Sequence, residues 1–181
     1  TDVLWRKCYT HARKLYPRLP IFIVDDHSSF KSKQKTRLTN CALIQSNLPR
    51  GRGEFLPYYY MLTQKLGERA LFIHDSFIMN RRLPIFKSVG PLFTFLPKHC
   101  EKRNLVRRLL SKLPDGNDLF QKYTNYRWRG CFGGMAIIEY EWLYTLEQRY
   151  KFTLLRMCIQ NRLHRMAFER IVGLFFSINN V

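Results

Sequence analysis

Acidic side chains are scarce in this 181-residue chain: 13 Asp and Glu face 31 Lys and Arg, giving a formal net charge of +18. So lopsided a balance points to an anionic partner: nucleic acid, a phosphorylated ligand, a membrane surface or an acidic protein. The basic residues are not gathered in a tail. Residues 98–112 carry six of them with one acid, residues 31–37 carry four, and the others, such as Arg50, Arg52 and Arg162, are scattered. Long apolar runs are also missing. The longest, Ile171 to Ile178, reaches at best half of the ~20 residues a membrane-spanning helix needs, so no span is expected. Five cysteines (Cys8, Cys41, Cys100, Cys131 and Cys158) are an odd number without a CxxC pair, which supports neither a disulfide framework nor a zinc ribbon. Reduced thiols in an intracellular, cytoplasmic protein are the default reading, with virion association as the other location considered. No signal peptide is expected from the sequence, which also has no Asn-x-Ser/Thr sequon. The chain opens on Thr and reads as a processed or excised fragment. Internal repeats and low-complexity linkers are lacking as well, so a single domain over residues 1–181 is expected, its halves dividing near residue 80.

What is present is a globular composition. Hydrophobic residues make up 46%, including 14 Phe, 10 Tyr and 3 Trp, which excludes a disordered tail, a collagen-like fibre and a coiled coil. Residues 3–16 place Val3, Leu4, Cys8, Ala12 and Leu15 close to one helical face, and Pro17 ends the helix. Ile21-Phe22-Ile23-Val24 is a continuous apolar run suited to a buried parallel strand. Strands are also expected at residues 41–45 and 69–74, with a helix at residues 54–66 stopped by Gly67. Farther along, residues 91–96 and 130–138 read as strands and residues 101–113 as a basic helix. Asp115-Gly116-Asn117 reads as a turn, and residues 140–149 and 162–178 as helices. The alternation of helices and strands argues for an α/β fold.

Three polar clusters fall just past the carboxyl ends of expected strands: Asp25-Asp26-His27-Ser28, the loop from Arg50 to Glu54, and His74-Asp75-Ser76. Ligands of open α/β sheets bind at such ends. A carboxylate there can accept hydrogen bonds from a nucleobase or ribose. Backbone amides and arginines of a glycine loop, here Arg52 and Gly53, suit phosphate oxygens. Asp75 could hold a divalent cation against those phosphates. Each cluster also has a plain reading, the acidic pair as a turn or cap and the glycine loop as an ordinary helix start.

The segment Y-P-R-L-P-I-F-I-V-D-D-H-S resembles that of inverting GT-A glycosyltransferases in which a helix leads into a strand ending V-D-D-x-S. N-L-P-R-G-R-G-E-F-L-P-Y-Y-Y-M followed by A-L-F-I-H-D-S resembles the next step of that family, W-R-G-C-F-G-G-M-A-I-I its acceptor-side segment, and H-R-M-A-F-E-R-I-V its late helix. The resemblance implies an open mixed sheet flanked by helices, with the family's first strand lying upstream of Val3. It implies an enzyme moving a sugar from a nucleotide-diphosphate donor to a glycan or protein acceptor, with inversion. By residue, it implies nucleoside contact at Asp25 and Asp26, the diphosphate step at Arg52, Gly53, His74 and Asp75, and Mn²⁺ or Mg²⁺ at Asp75. The sugar and acceptor pocket falls to Trp128, Gly133 and Gly134, and the general base to Glu169. Where the family has Asp-x-Asp, this chain has His74-Asp75-Ser76, so a metal-independent site is also open. Glu169 has its own alternative, a surface pair with Arg165 at i, i+4, in which case Glu139 or Glu141 becomes the candidate base. Two other functions stand beside the transferase: an inactive GT-A-like interaction protein, and a basic nucleic-acid binder using residues 98–112.

Overall fold

A computed structural model describes residues 2–28, 38–83, 89–96, 102–125 and 127–178. The basic run at 31–37, residues 98–101 with Cys100, and the aromatic Tyr126 lie outside the described residues. The chain is mixed α/β. Helix α1 (Asp2–Leu15) leads into β1 (Ile21–Asp25), followed by β2 (Cys41–Gln45). A 3-10 turn at Gly53–Phe55 opens α2 (Leu56–Gln64), and β3 (Arg69–Phe72) follows. After the short strands β4 (Gly90–Pro91) and β5 (Thr94–Phe95) come α3 (Arg103–Leu110) and α4 (Gly116–Asn125). Strand β6 (Gly130–Cys131), a 3-10 turn at Phe132–Gly134, β7 (Ala136–Glu139), α5 (Tyr140–Tyr150), a 3-10 segment at Phe152–Met157 and α6 (Arg162–Ile178) complete the order.

The strands form three small sheets among the described residues, β1–β2, β3–β7–β4 and β5–β6, not one open sheet. β1 and β2 are parallel, in register from Ile21↔Cys41 to Asp25↔Gln45. β3 runs antiparallel to β7, from Arg69↔Glu139 to Phe72↔Ala136, and β4 takes β7's other edge. β3 is thus a strand where the sequence places one, but its partner comes from the second half of the chain. β1 was expected to be buried; instead Phe22 on β1 and Leu43 on β2 are exposed, and the pair is only half-covered. Arg13 holds this unit together: its guanidinium donates to the carbonyls of Tyr16, Pro17, Leu19 and Asn40 at 2.7–3.1 Å, tying the end of α1 to the approaches of both strands.

The core is aromatic and is organised around α6. Phe168 meets Phe55 and Tyr58 edge-on at 5.5 Å, and Tyr58 meets Phe72 edge-on at 4.8 Å. Phe152 and Phe175 close the cluster at 6.0 Å. Such edge-to-face pairs add roughly 0.5–1.5 kcal/mol each beyond their buried area. Ala167, Ile171 and Leu174 are buried, as their spacing predicts, but Leu163 is exposed because the first turn of α6 projects past the core. From Ala167 to Phe176 the helix is enclosed on nearly all sides, with Glu169 half-buried as its one break. α6 packs against β6, α3 and the 3-10 turns at Gly53–Phe55 and Phe132–Gly134. Those two turns are where the polar side chains gather.

The candidate site at the glycine loop, the glycine turn and helix α6

β1 ends on Asp25, Asp26 follows it, and the two carboxylates do different work. Asp25 accepts from the backbone N–H of Ser28 at 3.2 Å and from the Ser28 hydroxyl, closing a local turn of the kind Asp favours. Asp26 reaches across to the glycine loop. It accepts the amide N–H groups of Gly51, Arg52 and Gly53 at 2.8–3.1 Å. The loop can present all three amides because Gly51 has φ +106°. A Cβ there would lie 2.3 Å from the Gln160 carbonyl oxygen, so the loop is also wedged against the approach to α6. Arg52 turns inward: its side chain is buried, with Nε donating to the Arg156 carbonyl at 2.8 Å and Nη1 to that of Pro49.

On the other side of the site, the end of β3 meets the glycine turn before β7. His74 Nε2 lies 2.6 Å from the Gly133 carbonyl oxygen; because a carbonyl can only accept, this nitrogen carries the proton. Gly133 itself has φ +63°, a left-handed conformation that glycine adopts without strain. Behind the turn, the fully buried Tyr58 hydroxyl donates to the Gly134 carbonyl at 2.7 Å. Burial raises the Tyr58 pKa well above its ordinary value, so the phenol stays a neutral donor.

Between loop and turn lie Glu54, Arg165 and Glu169. Arg165 does not pair with Glu169 along the helix. It reaches instead to Glu54, with Nη1 3.1 Å from Oε2. That contact is one of charge, since neither Glu54 Oε2 nor Arg165 Nε has a hydrogen-bond partner although both atoms are buried. Glu169 is the perturbed group. Burial first and the neighbouring Glu54 second push its pKa up to about 7, while the Gly133 amide, Arg170 and Arg165 partly offset them. A carboxyl poised near neutrality, hydrogen-bonded to a glycine turn and flanked by a second carboxyl, is equipped to take up and release a proton.

Of the residues singled out from sequence, Asp26, Gly53, His74, Gly133, Gly134 and Glu169 are brought into one constellation, linked through Arg165 and Glu54. Asp25 closes the turn beside it, and Asp75 is exposed past the end of β3, near Cys8. Two others are redirected. Arg52 is an internal clamp, because its donors are taken by backbone carbonyls. Trp128 belongs to the core: its ring packs 4.7 Å from Tyr123, and its indole N–H donates to the Tyr123 carbonyl at 2.8 Å. The alternative bases are also removed. Glu139 pairs with Arg69, and Glu139 and Glu141 line a separate cavity of roughly 320 Å³ at the opposite end of β7. Sequence alone does not pair Glu54 with Arg165, which lie 111 residues apart. The available signal was a lone acid placed directly after the glycine loop, which a basic helix face could meet.

Asp75 supplies a single carboxylate, and among the described residues no three His, Cys, Asp or Glu side chains converge to hold a metal. Among the described residues this donor set does not by itself make a protein-built cation site. Among the described residues no helix is long and apolar enough to cross a membrane. Comparison with protein-family models, with curated proteins and with solved structures found no match.

Proposed function

We propose that this chain is a glycosyltransferase of GT-A type, moving a sugar from a nucleotide-diphosphate donor to a hydroxyl of a glycan or protein acceptor. The observation that carries the reading is Glu169: a half-buried carboxyl with its pKa raised to about 7, beneath the Gly133 amide and beside Glu54. It stands where four remote segments resembling the transferase family converge. In the reaction the acceptor oxygen attacks the anomeric carbon, its proton passes to the ionised Glu169 carboxylate, and the sugar–diphosphate bond breaks with its electron pair leaving on the diphosphate. A positioned base of this kind contributes about 10²–10⁴-fold. The Glu54–Arg165 pair keeps a cation beside two carboxylates, and Arg50, exposed on the glycine loop, can meet anionic oxygens.

One observation favours a second reading. The loop amides that would cradle a diphosphate are already satisfied by Asp26. This suits an inactive chain of the same architecture that serves in interactions. A thermal-shift screen of uridine and guanosine diphosphate sugars, in Mn²⁺ and in EDTA, separates the two. The transferase reading expects a saturable rise in melting temperature with one donor, and turnover that Glu169→Gln abolishes while donor binding persists. A folded protein whose melting point no donor moves refutes the transferase and leaves the interaction protein. Full donor binding in EDTA retires the metal and keeps the transferase.

A further inference from the structure

A cavity of roughly 150 Å³ opens on the other side of the approach to α6, lined by Arg108, Leu109, Lys112, Met157, Cys158, Gln160 and His164. Its chemistry is one-sided. Arg108 and Lys112 stand four residues apart, so they share one face of α3 and the turn that continues it. Among the described residues neither has a carboxylate partner, and no acid lines the cavity. Like charges at this spacing oppose each other unless something negative sits between them.

His164 adds a directed donor. The Gln160 amide N–H donates to its Nδ1 at 3.2 Å, so Nδ1 is the acceptor and the neutral ring carries its proton on Nε2. The Asn161 side chain fixes the same residue by accepting the His164 backbone N–H at 3.0 Å. Burial and Arg108 both lower the pKa of His164, as expected of a ring held beside cations without an anion. Leu109 and the exposed Met157 give the cavity an apolar side. The larger cavity, with Glu68, Glu139 and Glu141 in its wall, has the opposite character.

We propose that the cavity between α3, the segment at 157–160 and the start of α6 binds a phosphate group, free or as the monoester of a small organic molecule. A guanidinium, an ammonium and an imidazole N–H on residues that line one small concave space are the donors a phosphate takes. The site is distinct from the Glu169 constellation and stands whether or not the chain is a transferase. It shares one wall with it, since the Gln160 backbone that borders the cavity also abuts Gly51 of the glycine loop.

The test follows the ring resonances of the five histidines by NMR during titration with inorganic phosphate, at constant ionic strength held by NaCl. His164 is assigned through His164→Gln. The expected result is a saturable shift of His164 alone, weakened about tenfold or more in Arg108→Gln/Lys112→Gln. The control variant, Arg103→Gln/Arg107→Gln, removes the same charge from α3 outside the cavity and should bind as the parent does. Repeating the titration with glycerol phosphate separates the sources, because tighter binding of the ester assigns a role to the Leu109 and Met157 wall. A His164 signal that phosphate does not move overturns the proposal. So does equal weakening by both double variants, which would mean attraction to the +18 surface in general. All four substituted positions are exposed, and circular dichroism confirms that both variants fold.

Discussion

Replacing Glu169 by Gln should make the protein more stable at pH 8 while leaving its stability at pH 4.5 unchanged. The folded-state pKa of this carboxyl is raised from 4.5 to about 7, chiefly by burial and then by Glu54. Between those values the native state holds a proton that the unfolded chain has released, so stability falls as pH rises through the window. The favourable contribution is complete below about pH 4.5 and lost above about pH 7. Gln mimics the protonated carboxyl: it keeps an oxygen for the Gly133 amide and never acquires the charge. The full shift corresponds to about 3 kcal/mol at 1.36 kcal/mol for each pH interval, and the carboxyl's remaining contact with water reduces this to about 1–2 kcal/mol. For a chain of this size that is a rise in melting temperature of about 2–8 °C. Urea unfolding followed by tryptophan fluorescence, on parent and variant at pH 4.5 and pH 8, isolates Glu169, because titrations common to both proteins cancel in the difference. A variant less stable than the parent at pH 8, or a difference that does not change with pH, would refute the reasoning.

If Glu169 is the base, turnover with a saturating donor should rise through about pH 7 and level off above it, a profile read from initial rates between pH 5 and pH 9. Tyr58→Phe removes the hydroxyl that donates to the Gly134 carbonyl and should cost about 1–3 kcal/mol in urea unfolding, as a buried acceptor that loses a donor does. Asp26→Asn keeps the side-chain size but removes the charge that the three loop amides share at Oδ2 and sets an N–H against the Gly51 amide at Oδ1, so it should lower the melting temperature even with no nucleotide present. An unchanged melting temperature with lost donor binding would instead give Asp26 a direct ligand contact. Gly51→Ala brings a Cβ to 2.3 Å from the Gln160 oxygen at φ +106° and should destabilise by several kcal/mol, measured in the same unfolding assay.

The elements most legible in sequence were those with a strong period. Helix α6 is legible at 162–178, with Leu163, Ala167, Ile171, Leu174 and Ile178 on one stripe, and the apolar runs at 21–24 and 41–45 mark two strands that do pair in parallel. Pairing direction elsewhere was hidden, because a four-residue apolar run such as that of β3 reads alike in either orientation; its partner, β7, lies 64 or more residues away. Helix α4 was missed because Asp115-Gly116-Asn117 is also good turn chemistry. Here Asp115 takes the left-handed conformation, and its carbonyl starts the helix by accepting the Leu119 N–H at 2.9 Å. Within the site, residue types were legible and directions were not. An arginine in a glycine loop can face a phosphate or its own backbone, and Arg52 does the second.

That Glu169 is carried by α6, and not by a loop, bears on how anything reaches it. Its neighbours Phe168, Ile171, Val172 and Phe175 are among the most deeply buried side chains of the chain. Backbone amides in such a segment exchange with solvent only when the whole domain opens, whereas the loops around it open at far lower free energy. Helix breathing therefore does not bring Glu169 to a substrate. Access is instead expected to depend on the exposed residues of the surrounding segments: Phe132 in the glycine turn, Arg50 in the glycine loop and Asp75 past the end of β3. In deuterium exchange, a molecule entering this site should slow the rim amides and leave those around Glu169 as protected as they already were.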